Sequence, residues 1–344
     1  ATTITAASAS KTYDGTALTK TSGCASSTNL ATGHTATCTN SGTITSAGSA
    51  TNTLSTVVIK DASGTDVTKN YAITKANGKL TVNKKSVAVT WGSTTTFTYN
   101  GGAQAPTASV ATGISNETMS VTKTTGTNAG SYTSTASCSS VTGGQAKCSN
   151  YTLTGTTKAF TINKASSTIP TITAYEGTYD AASHTFTMSG GSGGTINYST
   201  NNGTTWTTTK PTRTTAGTTT VQVKIVGDKN HNDTSVISTT IKIDKRAITV
   251  KAAVAEKIYD GTVLTKTDGC ESSTNLVSGH EAKCTNTGAL LNAGSSGNTL
   301  SKVSVVSATG TDVTDNYEIT KEGGRLTVKP KSLAVTWGST TTFT

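Results

Sequence analysis

Six cysteines, four histidines and a few acidic clusters are the residues of this sequence whose types and spacing could do chemistry. The cysteines fall as local couples, Cys24 and Cys38, Cys138 and Cys148, Cys270 and Cys284. Thirteen or nine residues lie inside each couple, unlike the short Cys-x2-Cys knuckles of zinc sites, and only His34 and His280 sit near one. Even, local pairing predicts a disulfide within each couple and with it an oxidising, extracellular compartment.

The other candidates lead away from catalysis. His34, His184, His231 and His280 are scattered. There is no Gly-x-Ser-x-Gly elbow, phosphate loop or His-Glu-x-x-His, so no enzymatic activity is expected and no cofactor is implied. Asp228-Lys-Asn230-His-Asn232-Asp233 imitates the start of a calcium loop but lacks the glycine at its sixth place and the glutamate at its twelfth, so it reads as Asx turns and no metal is expected. Tyr13-Asp14-Gly15 and Tyr259-Asp260-Gly261 read as strand-to-turn corners with a buried ring, a capping carboxylate and a permissive glycine; sugar binding by those tyrosines is the rival reading. A Lys-to-Asn isopeptide crosslink, with Glu117 as the only acid of its stretch, is a further candidate that the nearby cysteine couple makes redundant.

The elements that carry these residues are strands. Thr and Ser number 81 and 39 of 344 residues, while only 33% of the chain is hydrophobic and 13% charged. β-Branched Thr favours strand over helix. Disorder would call for more proline and charge and fewer β-branched residues, whereas Pro is 4 here and short Val/Ile/Leu alternations recur throughout. No apolar run is long enough for a membrane span.

The sequence repeats. Lys11-Thr-Tyr-Asp-Gly-Thr16 returns as Lys257-Ile-Tyr-Asp-Gly-Thr262, and the same offset of 246 carries Cys24 to Cys270, Cys38 to Cys284, Asn70-Tyr71 to Asn316-Tyr317 and Trp91 to Trp337. About two-thirds of positions in 1–98 are identical to those in 247–344. The offset is three periods of 82. Each ends on Asn followed by Tyr or His and an alternating strand: Asn70-Tyr71, Asn150-Tyr151, Asn230-His231 and Asn316-Tyr317. The repeats are therefore 1–83, 84–164, 165–246 and 247–328. Residues 329–344 restart the second repeat and stop. A lone leading strand cannot bury its own face, so further chain, another copy or the fourth repeat is expected to cover Trp337. With neither an initiating Met nor a signal peptide, the chain reads as a window on a longer array.

Within the first repeat the pattern predicts strands near 2–6, 16–20, 35–45, 54–60, 71–75 and 79–84, with a hairpin turn at Asn77-Gly78 and similar turn signals at Asn100-Gly101 and Asn202-Gly203. This predicts an all-β chain of tandem antiparallel sandwiches of immunoglobulin type, or β-grasp units with any helix confined to 24–38. Tyr71, Tyr151 and Tyr317 are expected to be buried anchors beside the last strands. Lys84-Lys85, Lys164-Ala165 and Lys245-Arg246 join the repeats without a flexible stretch, which predicts a stiff rod. At about 3.3 Å per strand residue, three repeats would project something over 100 Å.

Net charge is +10, distributed as +3, +5, +2 and −2 over the four repeats and +2 over the final stretch. With three Arg and no basic groove, nucleic acid is not an expected partner.

The first and fourth repeats resemble the YDG-type repeat of bacterial surface proteins. The likeness rests on Lys-x-Tyr-Asp-Gly-Thr, Gly33-His34, Gly64-Thr65-Asp66-Val67-Thr68, Asn70-Tyr71 and Gly78-Lys79-Leu80-Thr81-Val82. The second and third are similar to MBG-type or immunoglobulin-like repeats, the third through Ser189-Gly190-Gly191-Ser192-Gly193-Gly194 and Gly227-Asp228-Lys229-Asn230-His231-Asn232. The resemblance implies stalk domains of large exported, adhesin-like proteins and supplies no catalytic residues; the cysteine couples are an addition to its pattern. The expected function is thus a structural stalk or extracellular filament segment at the cell surface. Its partners would be neighbouring repeats and other copies in a filament. The alternative is adhesive modules for host glycans or mucin.

Overall fold

The structure is a computed structural model that describes residues 1–338. It is all-β: among the described residues the only helical elements are three short 3-10 turns, and the 24–38 stretch contains strand and turn. The chain forms two compact units, Ala1–Ala165 with Lys229–His231, and Ser166–Asp228 with the residues from Asn232 onward.

In the first unit, the opening repeat is a two-layer sandwich. Thr2–Ala6 lies between Cys24–Ser27 and Ile73–Ala76 in one sheet. The other sheet runs Ala9–Thr12, Gly78–Asn83, Gly48–Lys60, Thr35–Ser41, and a small ladder joins Leu18–Thr19 to Thr43–Ile44. Thr2–Ala6 alternates buried and half-buried residues, so Ile4 and Ala6 point inward to meet Cys38 and Leu54 of the facing sheet.

Two features differ from the sequence reading. The sheets are mixed rather than antiparallel throughout, because Thr2–Ala6 pairs in parallel with Ile73–Ala76 and Ala9–Thr12 in parallel with Gly78–Asn83. First and last strands running the same way put the entry and exit of the chain at opposite ends of the repeat. Nor is Asn77-Gly78 a hairpin turn: the strands on either side of it belong to different sheets. Gly78 is there because the chain crosses against a neighbouring backbone, where an added Cβ would lie 2.4 Å from the Ala7 carbonyl oxygen. Gly324 makes the same crossing in the fourth repeat, 2.4 Å from the Ala252 carbonyl. By contrast, Asn202 and Gly203 both have positive φ, 56° and 81°, as a tight reversal requires.

The second repeat is one curled sheet of seven strands. From edge to edge it runs Thr96–Thr98, Thr157–Asn163, Gly130–Thr142, Thr118–Lys123, Ala108–Val110, Lys85–Trp91 and Tyr151–Thr154. Only Lys84 separates Gly78–Asn83 from Lys85–Trp91.

The second unit repeats these themes. In the third repeat, Tyr175–Thr178, Ile237–Asp244, Gly217–Gly227 and Gly194–Ser199 form a sheet over Phe186, Tyr198, Val221, Val223 and Ile241. The fourth repeat rebuilds the first, with Arg246–Ala252 between Cys270–Thr274 and Tyr317–Glu322. Lys245 alone separates Ile237–Asp244 from Arg246–Ala252.

Residues 331–338 form no strand, and Leu333, Val335 and Trp337 are exposed, Trp337 at 88%. The expectation that the fourth repeat covers Trp337 is therefore corrected. The matching strand Lys85–Trp91 is held between Ala108–Val110 and Tyr151–Thr154, and Trp91 Nε1 donates to the Gly155 carbonyl. No such strands flank 331–338 among the described residues. The rest of that terminal stretch, 339–344, lies outside the described residues.

Candidate functional site

The structure bonds Cys24 to Cys38, Cys138 to Cys148 and Cys270 to Cys284. The first and third bonds tie one sheet to the facing sheet in corresponding sandwiches, Cys24–Ser27 to Thr35–Ser41 and Cys270–Thr274 to Glu281–Thr287. The second ties Gly130–Thr142 to the 3-10 turn Cys148–Asn150, which ends on a junction residue.

That turn introduces the arrangement common to the repeats. In the first and fourth repeats the Thr-Asp-Val-Thr motif builds it. Asp66 Oδ1 accepts from the Thr68 amide and hydroxyl at 2.9 and 2.6 Å, and Thr68 Oγ1 accepts from the Ile59 amide at 2.7 Å. Asp312, Thr314 and Val305 repeat this at 2.9, 2.6 and 2.8 Å. The carboxylates of Asp66 and Asp312 are held below the usual range, first by the threonine hydroxyl. Each turn delivers an asparagine and then an aromatic residue to one end of the repeat.

The opposite end carries the complement. Its first part is the tyrosine just after the strand that pairs in parallel with the repeat's last strand. Tyr13, Tyr99, Tyr179 and Tyr259 each donate a backbone N–H to the last strand or its end, at the carbonyls of Asn83, Asn163, Asp244 and Lys329. In Tyr-Asp-Gly-Thr, Asp14 Oδ1 accepts from Lys11 Nζ at 2.6 Å and from the Thr16 amide at 2.9 Å, while Gly15 takes φ 80°. Lys11 foremost holds the Asp14 carboxyl down to about 2. Asp260 and Lys257 repeat the clamp at 2.8 Å with Gly261 at φ 83°. The second part is an alanine before the long strand: Ala47, Ala129, Ala216 and Ala293. Each is followed by a glycine at φ 142°, 153°, 124° or 147°, a region that only glycine occupies at low cost.

Within each unit these halves meet. In the first unit Ala47 N–H donates to Asn150 Oδ1 at 2.8 Å, and the rings of Tyr13 and Tyr151 meet edge to face at 5.5 Å and 80°. Ala129 N–H likewise donates to Asn230 Oδ1 at 2.9 Å, with Tyr99 edge-on to His231 at 5.3 Å and 82°. In the second unit Ala216 N–H donates to Asn316 Oδ1 at 2.7 Å, and Tyr179 meets Tyr317 at 5.5 Å and 81°. Such aromatic pairs contribute about 0.5–1.5 kcal/mol beyond their burial.

At the first junction Glu117 joins the tyrosines. Tyr13 Oη donates to Glu117 Oε1 at 2.6 Å, and Tyr151 Oη donates to Glu117 Oε2. Burial, then the carboxylate, pushes the Tyr13 phenol up to about 12, and the Tyr151 phenol is raised for the same reasons. A cleft of about 540 Å³ lies beside it, lined in part by Asp14, Thr16, Lys85, Glu117 and Gly143.

Of the tyrosines singled out in the sequence, Tyr151 and Tyr317 are buried at junctions, while Tyr71 is half-buried with its hydroxyl on His34 Nδ1 at 2.7 Å. His280 holds Tyr317 in the same way at 2.7 Å. Tyr13 is 1% exposed, yet Tyr259 is 38% exposed. Asn230 Oδ1 and Asp233 Oδ1 of the calcium-like stretch accept amide N–H groups of Ala129 and Gly227. Among the described residues no group of three or more His, Cys, Asp or Glu is placed to hold a metal ion. Sequence reasoning missed Glu117's link to the two tyrosines and the Ala-Gly couples. The couples were visible as Ala47-Gly48, Ala129-Gly130, Ala216-Gly217 and Ala293-Gly294, at near-constant spacing from Asn-Tyr or Asn-His.

No protein-family model matches this sequence, and no curated protein matches it.

Proposed function

We propose that this chain is a spacer segment of a repetitive extracellular protein, a disulfide-stabilised stalk or filament piece that works by reach and stiffness. The observation that carries the reading is the recurring junction: an Ala amide on an Asn side chain beside an edge-to-face aromatic pair. A reusable hydrogen bond and ring contact fix the angle between neighbours more tightly than a flexible linker would. Single-residue connections at Lys84 and Lys245 leave little slack for tumbling. Three disulfides suit an oxidising compartment outside the cell. No helix among the described residues is long and apolar enough to cross a membrane.

Small-angle X-ray scattering of the whole chain tests the proposal. Extrapolated to zero protein concentration, a spacer gives a maximum dimension above about 100 Å that stays constant across salt and temperature below unfolding. A compact particle, or a broad distribution of dimensions, overturns it.

A further inference from the structure

Asparagine followed by glycine occurs three times, at Asn77-Gly78, Asn100-Gly101 and Asn202-Gly203. The pair carries chemistry of its own, because the glycine amide nitrogen can reach the asparagine Cγ with no side chain in the way. The structure gives the three pairs different surroundings. Gly78 opens the strand Gly78–Asn83 pressed against the Ala7 carbonyl, which leaves no room for a ring to close there. Gly203 N–H donates to Ser199 Oγ at 2.9 Å, so its nitrogen is committed to that hydroxyl. Asn100 and Gly101 are both exposed, and a Cβ built on Gly101 would meet nothing within 4 Å. Among the described residues the Gly101 amide donates to no group.

Asn100 Oδ1 also accepts the Gly102 amide at 2.9 Å. That N–H sits where negative charge develops when the Asn100 carbonyl is attacked, and so stabilises the addition step. The same turn shows what the product would find. Asn100 follows Tyr99 as Asp14, Asp180 and Asp260 follow Tyr13, Tyr179 and Tyr259. Each of those carboxylates accepts the amide two residues on at the same 2.9 Å. The residue between takes φ 80° at Gly15, 81° at Gly101, 64° at Ala181 and 83° at Gly261. Of the four repeats, the second alone carries an amide in this slot, and the slot needs no rearrangement to take a carboxylate. Phe97 stands where the first and fourth repeats have Lys11 and Lys257, so the new charge faces water.

We propose that Asn100 is a site of spontaneous deamidation, which turns Tyr99-Asn100-Gly101 into the Tyr-Asp-Gly of the first and fourth repeats. Hydroxide takes the Gly101 amide proton, and the nitrogen attacks Asn100 Cγ. The N–Cγ bond forms, the Cγ–Nδ2 bond breaks, and ammonia leaves with a proton from water, closing a succinimide. Water then opens the ring at either carbonyl. Cleavage of the new N–Cγ bond gives aspartate with the backbone restored. Cleavage between the nitrogen and the main-chain carbonyl carbon gives isoaspartate, whose backbone runs through Cγ. No oxidant, reductant or cofactor enters. The two products differ in consequence. Aspartate keeps the turn. Isoaspartate lengthens the backbone directly after Tyr99, whose amide is held by the Asn163 carbonyl and whose ring meets His231 at 5.3 Å, and so loosens the second junction of the first unit. The inference rests on the turn alone and stands independently of the spacer reading.

Peptide mapping by mass spectrometry of the full chain, held in mildly alkaline buffer below its unfolding temperature, tests it. Asn100 is expected to convert roughly tenfold or more faster than Asn77 and Asn202, giving both aspartate and isoaspartate. In the reduced chain in denaturant the three pairs should react at similar rates, because what separates them is the fold. Gly101→Ala, which copies Ala181 of the third repeat, should slow Asn100 by a comparable factor with the turn kept. Asn100→Asp should unfold at the wild-type temperature. An Asn100 that stays intact over the time in which the unfolded chain converts overturns the proposal. So does an equal rate at all three pairs in the folded chain, or a loss of thermal stability in Asn100→Asp.

Discussion

Asn150 accepts the Ala47 amide at 2.8 Å across a sequence separation of 103, and its side chain is fully buried. Its Nδ2 also reaches the Gln145 carbonyl at 3.3 Å, so both ends of the amide are engaged. Asn150→Ala leaves the Ala47 N–H without its acceptor and should destabilise the first unit by about 1–3 kcal/mol. The equivalent Asn70→Ala, at an exposed position, should stay within about 0.5 kcal/mol of wild type. Calorimetric unfolding of the two variants side by side checks the contrast. Equal losses would place the stabilisation inside each repeat rather than between repeats.

Raised phenol pKa values make the first junction sensitive to alkali. An unfolded tyrosine ionises near 10, whereas Tyr13 is pushed up to about 12 and Tyr151 is also raised. The unfolded chain therefore loses these protons first as pH climbs. The stabilisation they provide is complete below pH 10 and is lost as pH rises through the folded values. Spectrophotometric titration of tyrosinate should show five late phenols: Tyr179, Tyr198 and Tyr317, raised first by burial, and the Tyr13 and Tyr151 pair of this junction. Glu117→Gln should bring Tyr13 and Tyr151 part of the way back, because burial, the larger cause, remains. An unchanged titration in that variant would exclude Glu117 as a cause.

Reduction should act unevenly along the chain. The three bonds close loops of sequence separation 14, 10 and 14, for which the chain-entropy account gives about 3 kcal/mol each. The third repeat holds no cysteine. Hydrogen exchange with and without reductant should therefore show faster opening around Leu54, Met119 and Val305 and little change around Val221 and Val223. Uniform acceleration across all four repeats would contradict local stapling.

Much of the fold could be read along the chain. Strands near 2–6, 71–75 and 79–84 lie close to Thr2–Ala6, Ile73–Ala76 and Gly78–Asn83, since period-two burial shows directly in alternation. Ala9–Thr12 and Cys24–Ser27 are not legible because no residue of either strand is buried, leaving no apolar alternation to see. The Asn77-Gly78 reversal was misassigned because a glycine needed for close backbone approach looks the same in sequence as one needed for positive φ.

Sequence by itself determined the repeat, the β class and the local clamps. Lys11, Asp14 and Thr16 bond within five residues of one another, as do Lys257, Asp260 and Thr262. Tertiary structure alone decided what those clamps present. Tyr13 and Tyr259 share their motif and clamp, yet one ring is buried against Tyr151 and the other faces solvent. Local hydrogen bonds depend on residues a few places away, and burial depends on whichever surface arrives from a hundred residues off.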